Sequence, residues 1–252
     1  MQCLSGLLPG ALSPLAAGGL IVASFFTSAL TAAFGLGGGI AMLALMGLSM
    51  PVAALIPVHG LVQLGSNAGR AWHQRENIST KIAWPFLWGS LAGAVIGAYT
   101  VLTLPDAVMK TIIGLFILVT AWVKLPGFDR LKGAGIAIGS GIIAVISMLV
   151  GASGPLLSAF FGQIFPDNRK QMVATAAAGM TVHHGLKVVV FGLAGFAFSS
   201  WLPFIGLMVL SGYFGTIYGT RLLERVPEAA FRAIFKWVLS VLALDLMRRG
   251  LF

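Results

Sequence analysis

Four polar side chains interrupt one apolar segment at a spacing that puts them on a single helical face. His59, Gln63, Asn67 and Arg70 are 4, 4 and 3 residues apart. A second stripe, Thr181, His184 and Lys187, sits in a later apolar segment, with His183 beside it. Polar groups at membrane depth are costly and by default mark the path of a solute or a proton. Two small-residue breaks accompany the stripes: Gly35-Leu36-Gly37-Gly38-Gly39 and Gly151-Ala152-Ser153-Gly154-Pro155. Glycines leave backbone N–H groups bare, and a helix restarting after them aims its positive end at the break. The Gly35, Gly37, Gly38 and Gly39 amides, Gly154 and the Ser153 hydroxyl can cradle an anionic head. Gln63, Asn67, Thr181 and His184 can bond its oxygens, and Lys187 and Arg70 can balance its charge. For scattered pairs such as Gly93 and Gly97, close helix packing is the simpler reading.

Glu76, Asp106, Asp129, Asp167, Glu224, Glu228 and Asp245 all fall in connectors or near segment ends. With no carboxylate at mid-segment, His59, His183 and His184 are the candidates for proton coupling. Lys236 forms an i, i+4 ladder with Arg232 and Glu228, which reads as pairing or snorkelling. The string Gly151-Ala152-Ser153-Gly154 also resembles the G-x-S-G nucleophile motif of rhomboid-type intramembrane proteases, with His183 or His184 as base. Against this, Gly37 stands at the serine's place in the other break, as expected of a structural feature. No phosphate loop, metal-ligand cluster or redox motif occurs, so neither cofactor, metal nor enzyme activity is expected.

The elements that must position these residues follow from composition. The 252 residues are 58% hydrophobic and 9% charged, against about 25% charged in a soluble domain. Such a chain cannot clothe a water-facing surface, so an all-α polytopic membrane protein is expected. The net charge of +9 lies mostly in short connectors and reads as positive-inside bias toward anionic lipid, with no extended basic face for nucleic acid. The single cysteine, Cys3, excludes an intrachain disulfide. The first charged residue is Arg70, so the first apolar stretch lacks the basic flank of a cleaved leader and is expected to stay as a helix.

Apolar segments run over 14–34, 52–70, 82–103, 106–123, 134–150, 171–194, 199–219 and 228–247, with short runs at 40–50 and 155–165 after the breaks. The halves correspond. The breaks align at an offset of 116, Asn67 and Arg70 fall on His184 and Lys187 at 117, and Pro85-Phe86 matches Pro203-Phe204 at 118. Pro105-Asp106-Ala107 matches Pro227-Glu228-Ala229 at 122. This predicts two homologous transmembrane repeats, 1–123 and 134–252, joined by a basic linker at 124–133. Each would have about four spanning helices plus one Gly-broken short helix, re-entrant or a shortened span. Duplicated bundles with broken helices are typical of secondary transporters. Segment length favours four spans per half and parallel repeats. The positive-inside rule favours five spans and inverted repeats.

In order and duplication these features resemble the TauE/SafE family of bacterial membrane permeases. The match runs from G-L-G-G-G through Pro51, Ala53, the basic loop at 70–81 and Gly93/Gly97, then through G-A-S-G-P, the Ala/Thr run Val173 to Ala178 and Lys187. The resemblance implies an eight-helix-class transporter of the bacterial inner (plasma) membrane, exporting sulfite or a related organosulfonate. Its partners would be a small anionic solute and the lipid bilayer, and a homo-oligomer is compatible with it. The alternatives are a transporter of another small organic anion and a non-transport membrane scaffold. Ser153 and Pro155 depart from the family's repeated glycines, and Ser153 adds a donor that the first break lacks.

Overall fold

The computed structural model describes residues 10, 12–34, 37–123, 133–222 and 228–251. They form ten helices: α1 Pro14–Phe34, α2 Gly38–Ser49, α3 Val52–His73, α4 Thr80–Thr103, α5 Asp106–Trp122, α6 Ala134–Val150, α7 Gly154–Ile164, α8 Arg169–Leu193, α9 Leu202–Leu222 and α10 Glu228–Leu251. Short 3-10 turns lie at Arg75–Asn77 and Phe198–Trp201, and no strand occurs among the described residues. Every apolar segment expected from the sequence is a helix, including both short runs. Most of the basic linker, residues 124–132, lies outside the described residues.

Local chemistry sets several boundaries. Pro51 and Pro105 (φ −60° and −64°) stand immediately before α3 and α5, where a missing N–H costs no helical bond. The Asn168 side chain accepts the Gln171 N–H at 3.0 Å and caps α8. Asp106, in the first turn of α5, pairs with Lys110 at 3.1 Å.

The outer surface of the bundle is rich in large apolar side chains, and a small set of polar side chains is enclosed within a largely apolar interior. Leu15, Val95, Tyr99 and Leu193 are largely exposed, whereas His59, Asn67, His183, His184 and Lys187 are buried. Large apolar side chains facing outward suit a bilayer, and polar groups enclosed among the helices are kept away from lipid. Four stretches are long and apolar enough to cross a membrane: Pro14–Ala32, Thr80–Val101, Lys170–Leu193 and Phe198–Gly219. α3 is equally long but carries the polar stripe. α5 and α6, at 17 residues each, reach about 25 Å.

The main contacts pair α1 with α9, α4 with α6, α3 with α8 and α5 with α10. Glycine seams explain two of these pairs. A side chain on Gly93 would strike the Gly141 backbone of α6, and one on Gly97 would meet Val145 and Met148. On α9, side chains on Gly215 and Gly219 would strike the backbone of α1 at Phe25 and Ala29. Without a hydrophobic drive between helices in lipid, such backbone approach supplies the van der Waals contact that joins them. α5 and α10 meet through Trp122, which donates to Ser240 Oγ at 2.7 Å and lies under the Lys236 ammonium at 5.5 Å. The central pair is α3 and α8, which carry the two polar stripes and cross where Gly60 faces Lys187 Cβ.

Candidate solute-binding cleft

The first break holds Gly37 at φ 96°, a backbone state that favours glycine. The first helical bond of α2 runs from Ala41 N–H to Gly37 O at 3.0 Å, leaving the Gly38, Gly39 and Ile40 amides outside the ladder. At the second break Gly151, at φ 84°, closes α6 by donating to Ser147 O. α7 then begins after Ser153, its first bond running from Leu157 N–H to Ser153 O at 2.9 Å. Pro155 removes one donor there and pre-sets the first turn, so Gly154 and Leu156 supply the free amides. Neither short helix has a side-chain cap.

The α3 stripe lies along the first break. His59 Nε2–H donates to Gly39 O at 2.9 Å. A carbonyl only accepts, so Nε2 carries the proton and Nδ1 keeps a lone pair, buried and without a partner. The Gln63 amide fills the space a side chain on Gly39 would need. Asn67 Nδ2 donates back to Gln63 O at 2.8 Å. His184 reaches the same place from α8, its ring edge-on to His59 at 5.8 Å, with Nδ1 again buried and unpartnered.

One cleft gathers most of the residues expected from the sequence. It is lined by Gly37, Gly39, His59, Gln63, Asn67, Arg70, Ser153, Gly154 and His184, joined by Thr31, Ile40, Ala152, Pro155 and Met180. None of the described lining residues is acidic. Among the described residues no carboxylate pairs with Arg70. Ser153 Oγ, on a residue 1% exposed, has no hydrogen-bond partner. An unpartnered buried hydroxyl between two helix N-termini can donate to an anionic oxygen at little cost to the protein.

Four expected residues stand elsewhere. Gly38 packs on the α1 backbone at Thr27. The Thr181 hydroxyl donates within its own helix to Ala177 O at 2.8 Å. His183 turns toward α4, where its Nε2 meets Ser90 Oγ at 3.0 Å and its ring stacks on Phe86 at 5.2 Å. Lys187, fully buried, donates from Nζ to Gly151 O at 2.7 Å, behind the second break. Gly35 lies outside the described residues. No hydrogen bond joins Ser153 to His183 or His184, so the serine–histidine pair of a protease is not formed.

Sequence reasoning missed Thr31. Its signal was present: Ser24, Thr27, Ser28 and Thr31 fall at i, i+3, i+4 and i+7 along α1.

Helices with an apolar exterior packed around a polar cleft define a multi-pass membrane protein. Residues 20–246, nearly the whole chain, match the family described as sulfite exporter TauE/SafE, and the protein belongs to that family of membrane transporters. No curated protein and no solved structure matches it.

Proposed function

We propose that the protein is a secondary permease of the bacterial inner membrane that exports a small sulfur oxyanion, sulfite or an organosulfonate. The observation that carries this reading is the Ser153 hydroxyl, buried and unpartnered in an acid-free cleft between the N-termini of α2 and α7. In this reading the anion's oxygens take hydrogen bonds from Ser153 Oγ, the break amides and the Gln63 and Asn67 side chains. Arg70 supplies the charge at the cleft wall, and Lys187 adds positive potential from behind Gly151. His59 and His184 each have an unpartnered Nδ1 and are the candidates for accepting a proton carried with the solute.

The chain is read as two repeats, 1–123 and 134–252, of five helices each. Pairing α1 with α6, α2 with α7, α3 with α8, α4 with α9 and α5 with α10 turns the α1–α9 contact into the α6–α4 contact. It leaves the α3–α8 and α5–α10 contacts as they are. That exchange supports a pseudo-twofold relation, and rocking of the halves about the cleft would alternate access to it. α2 and α7, of 12 and 11 residues, cover about half of a 30 Å hydrocarbon core, as half-helices ending at a central site would.

The test is flux of labelled sulfite in proteoliposomes, for wild type and Ser153→Ala. Saturable flux is expected, with half-saturation shifted about tenfold in the variant, the worth of one hydrogen bond to a charged group. The melting temperature should not fall, because that hydroxyl has no partner in the unloaded protein. Absence of saturable flux of sulfite or any small sulfonate would overturn the proposal.

A further inference from the structure

A second cavity adjoins the cleft, between α1, α2, α3 and α9. Its polar wall is Ser24, Thr27, Ser28, Thr31, Ser66 and Gln63. The two spaces share Thr31, Gly39 and Gln63 as common wall. The Gln63 amide fits there because residue 39 has no side chain. None of the described lining residues is charged. Ser24 donates to Met208 O at 2.7 Å and Thr31 to Thr27 O at 3.0 Å, bonds that a hydroxyl can exchange for a passing solute by rotating. A conduit must hold its solute weakly enough to release it, and neutral hydroxyls meet that need better than a buried cation.

The corresponding space in the second half is shut. The offsets of 116, 117 and 118 carry Ser24 to Ser140, Thr31 to Ser147, Gln63 to Met180, Ser66 to His183 and Met208 to Ser90. Phe86, Phe160 and Phe161 pack there as a buried aromatic cluster. Ser147 Oγ and His183 Nδ1 are sealed in without partners. Each such group is costly while it is dry, a cost that disappears when the space is wet.

We infer that the solute leaves or enters the cleft through the α1–α2–α3–α9 cavity, stoppered by Gln63, and that the α4–α6–α7–α8 space is the matching route, closed in this conformation. The ligand of the new site is the same hydrated oxyanion, held by hydroxyls and the Gln63 amide without a charged partner. The inference rests on the transport reading, but its test does not depend on finding the substrate.

In a Cys3→Ser background, single variants Ser28→Cys, Ser66→Cys and Ser147→Cys are exposed in membranes to a small charged methanethiosulfonate, with total thiol counted after denaturation. Ser28→Cys and Ser66→Cys should react about tenfold faster than Ser147→Cys, because reaction requires water access to the thiolate. Adding Gln63→Ala should raise the Ser28→Cys rate further by about threefold. Equal rates at all three positions, or a Ser28→Cys rate indifferent to Gln63→Ala, would overturn the inference. Failure of sulfite flux alongside the expected labelling pattern would count against the substrate and leave the route standing.

Discussion

Lys187 is the residue whose cost is hardest to justify by stability. Its ammonium is fully buried and donates to the Gly151 carbonyl, and among the described residues no carboxylate pairs with it. Desolvating an ion costs several kcal/mol. One charge-assisted bond at a helix C-terminus returns about 2–4 kcal/mol of that. Lys187→Met keeps the volume and removes the charge, so it should melt no lower than wild type, and by a few degrees higher if desolvation dominates. Sulfite flux should nevertheless fall at least tenfold, because the cleft loses the positive potential behind Ser153. Thermal unfolding in detergent and proteoliposome flux on the same preparation separate the two effects. A large drop in melting temperature would make Lys187 a structural brace.

At the scale of elements, the glycines divide by what faces them. Gly93 has the Gly141 backbone where its side chain would be, while Gly206 on α9 has nothing within 4 Å. Gly93→Ala should therefore force α4 away from α6 and cost about 1–3 kcal/mol or more. Gly206→Ala should gain up to about 1 kcal/mol from helix propensity. Thermal unfolding of the two variants measures this directly, and equal effects would contradict the seam. Helix geometry also explains why one stripe was legible and the other only partly. At about 100° per residue, the 4, 4 and 3 spacing of His59, Gln63, Asn67 and Arg70 stays within an arc of about 80°. All four reach the cleft. The 3 and 3 spacing of Thr181, His184 and Lys187 drifts through about 120°, and only the middle residue faces it. His183, adjacent to His184, points to α4 for the same reason.

For the whole molecule, the helices were legible because proline, glycine and polarity punctuate them: Pro51, Pro105 and Asn168 start helices where the sequence changes character. Which helices touch was not legible, since in lipid apolar faces do not select partners. The α1–α9 and α4–α6 pairs are set by shape, through glycines that look alike in sequence until their neighbours are known. The α1 hydroxyl stripe was overlooked because serine and threonine can satisfy themselves on the preceding turn, as Thr31 does. The central proposal for the whole molecule is that its two short helices, α2 and α7, meet at one anion site. Selenite, a heavier analogue of sulfite, tests that most directly when located by anomalous diffraction in crystals of the protein. A peak is predicted between Gly37–Gly39 and Ser153–Pro155, within hydrogen-bond reach of Ser153 Oγ. Selenite found only on the surface, with the cleft empty at saturating concentration, would contradict the account.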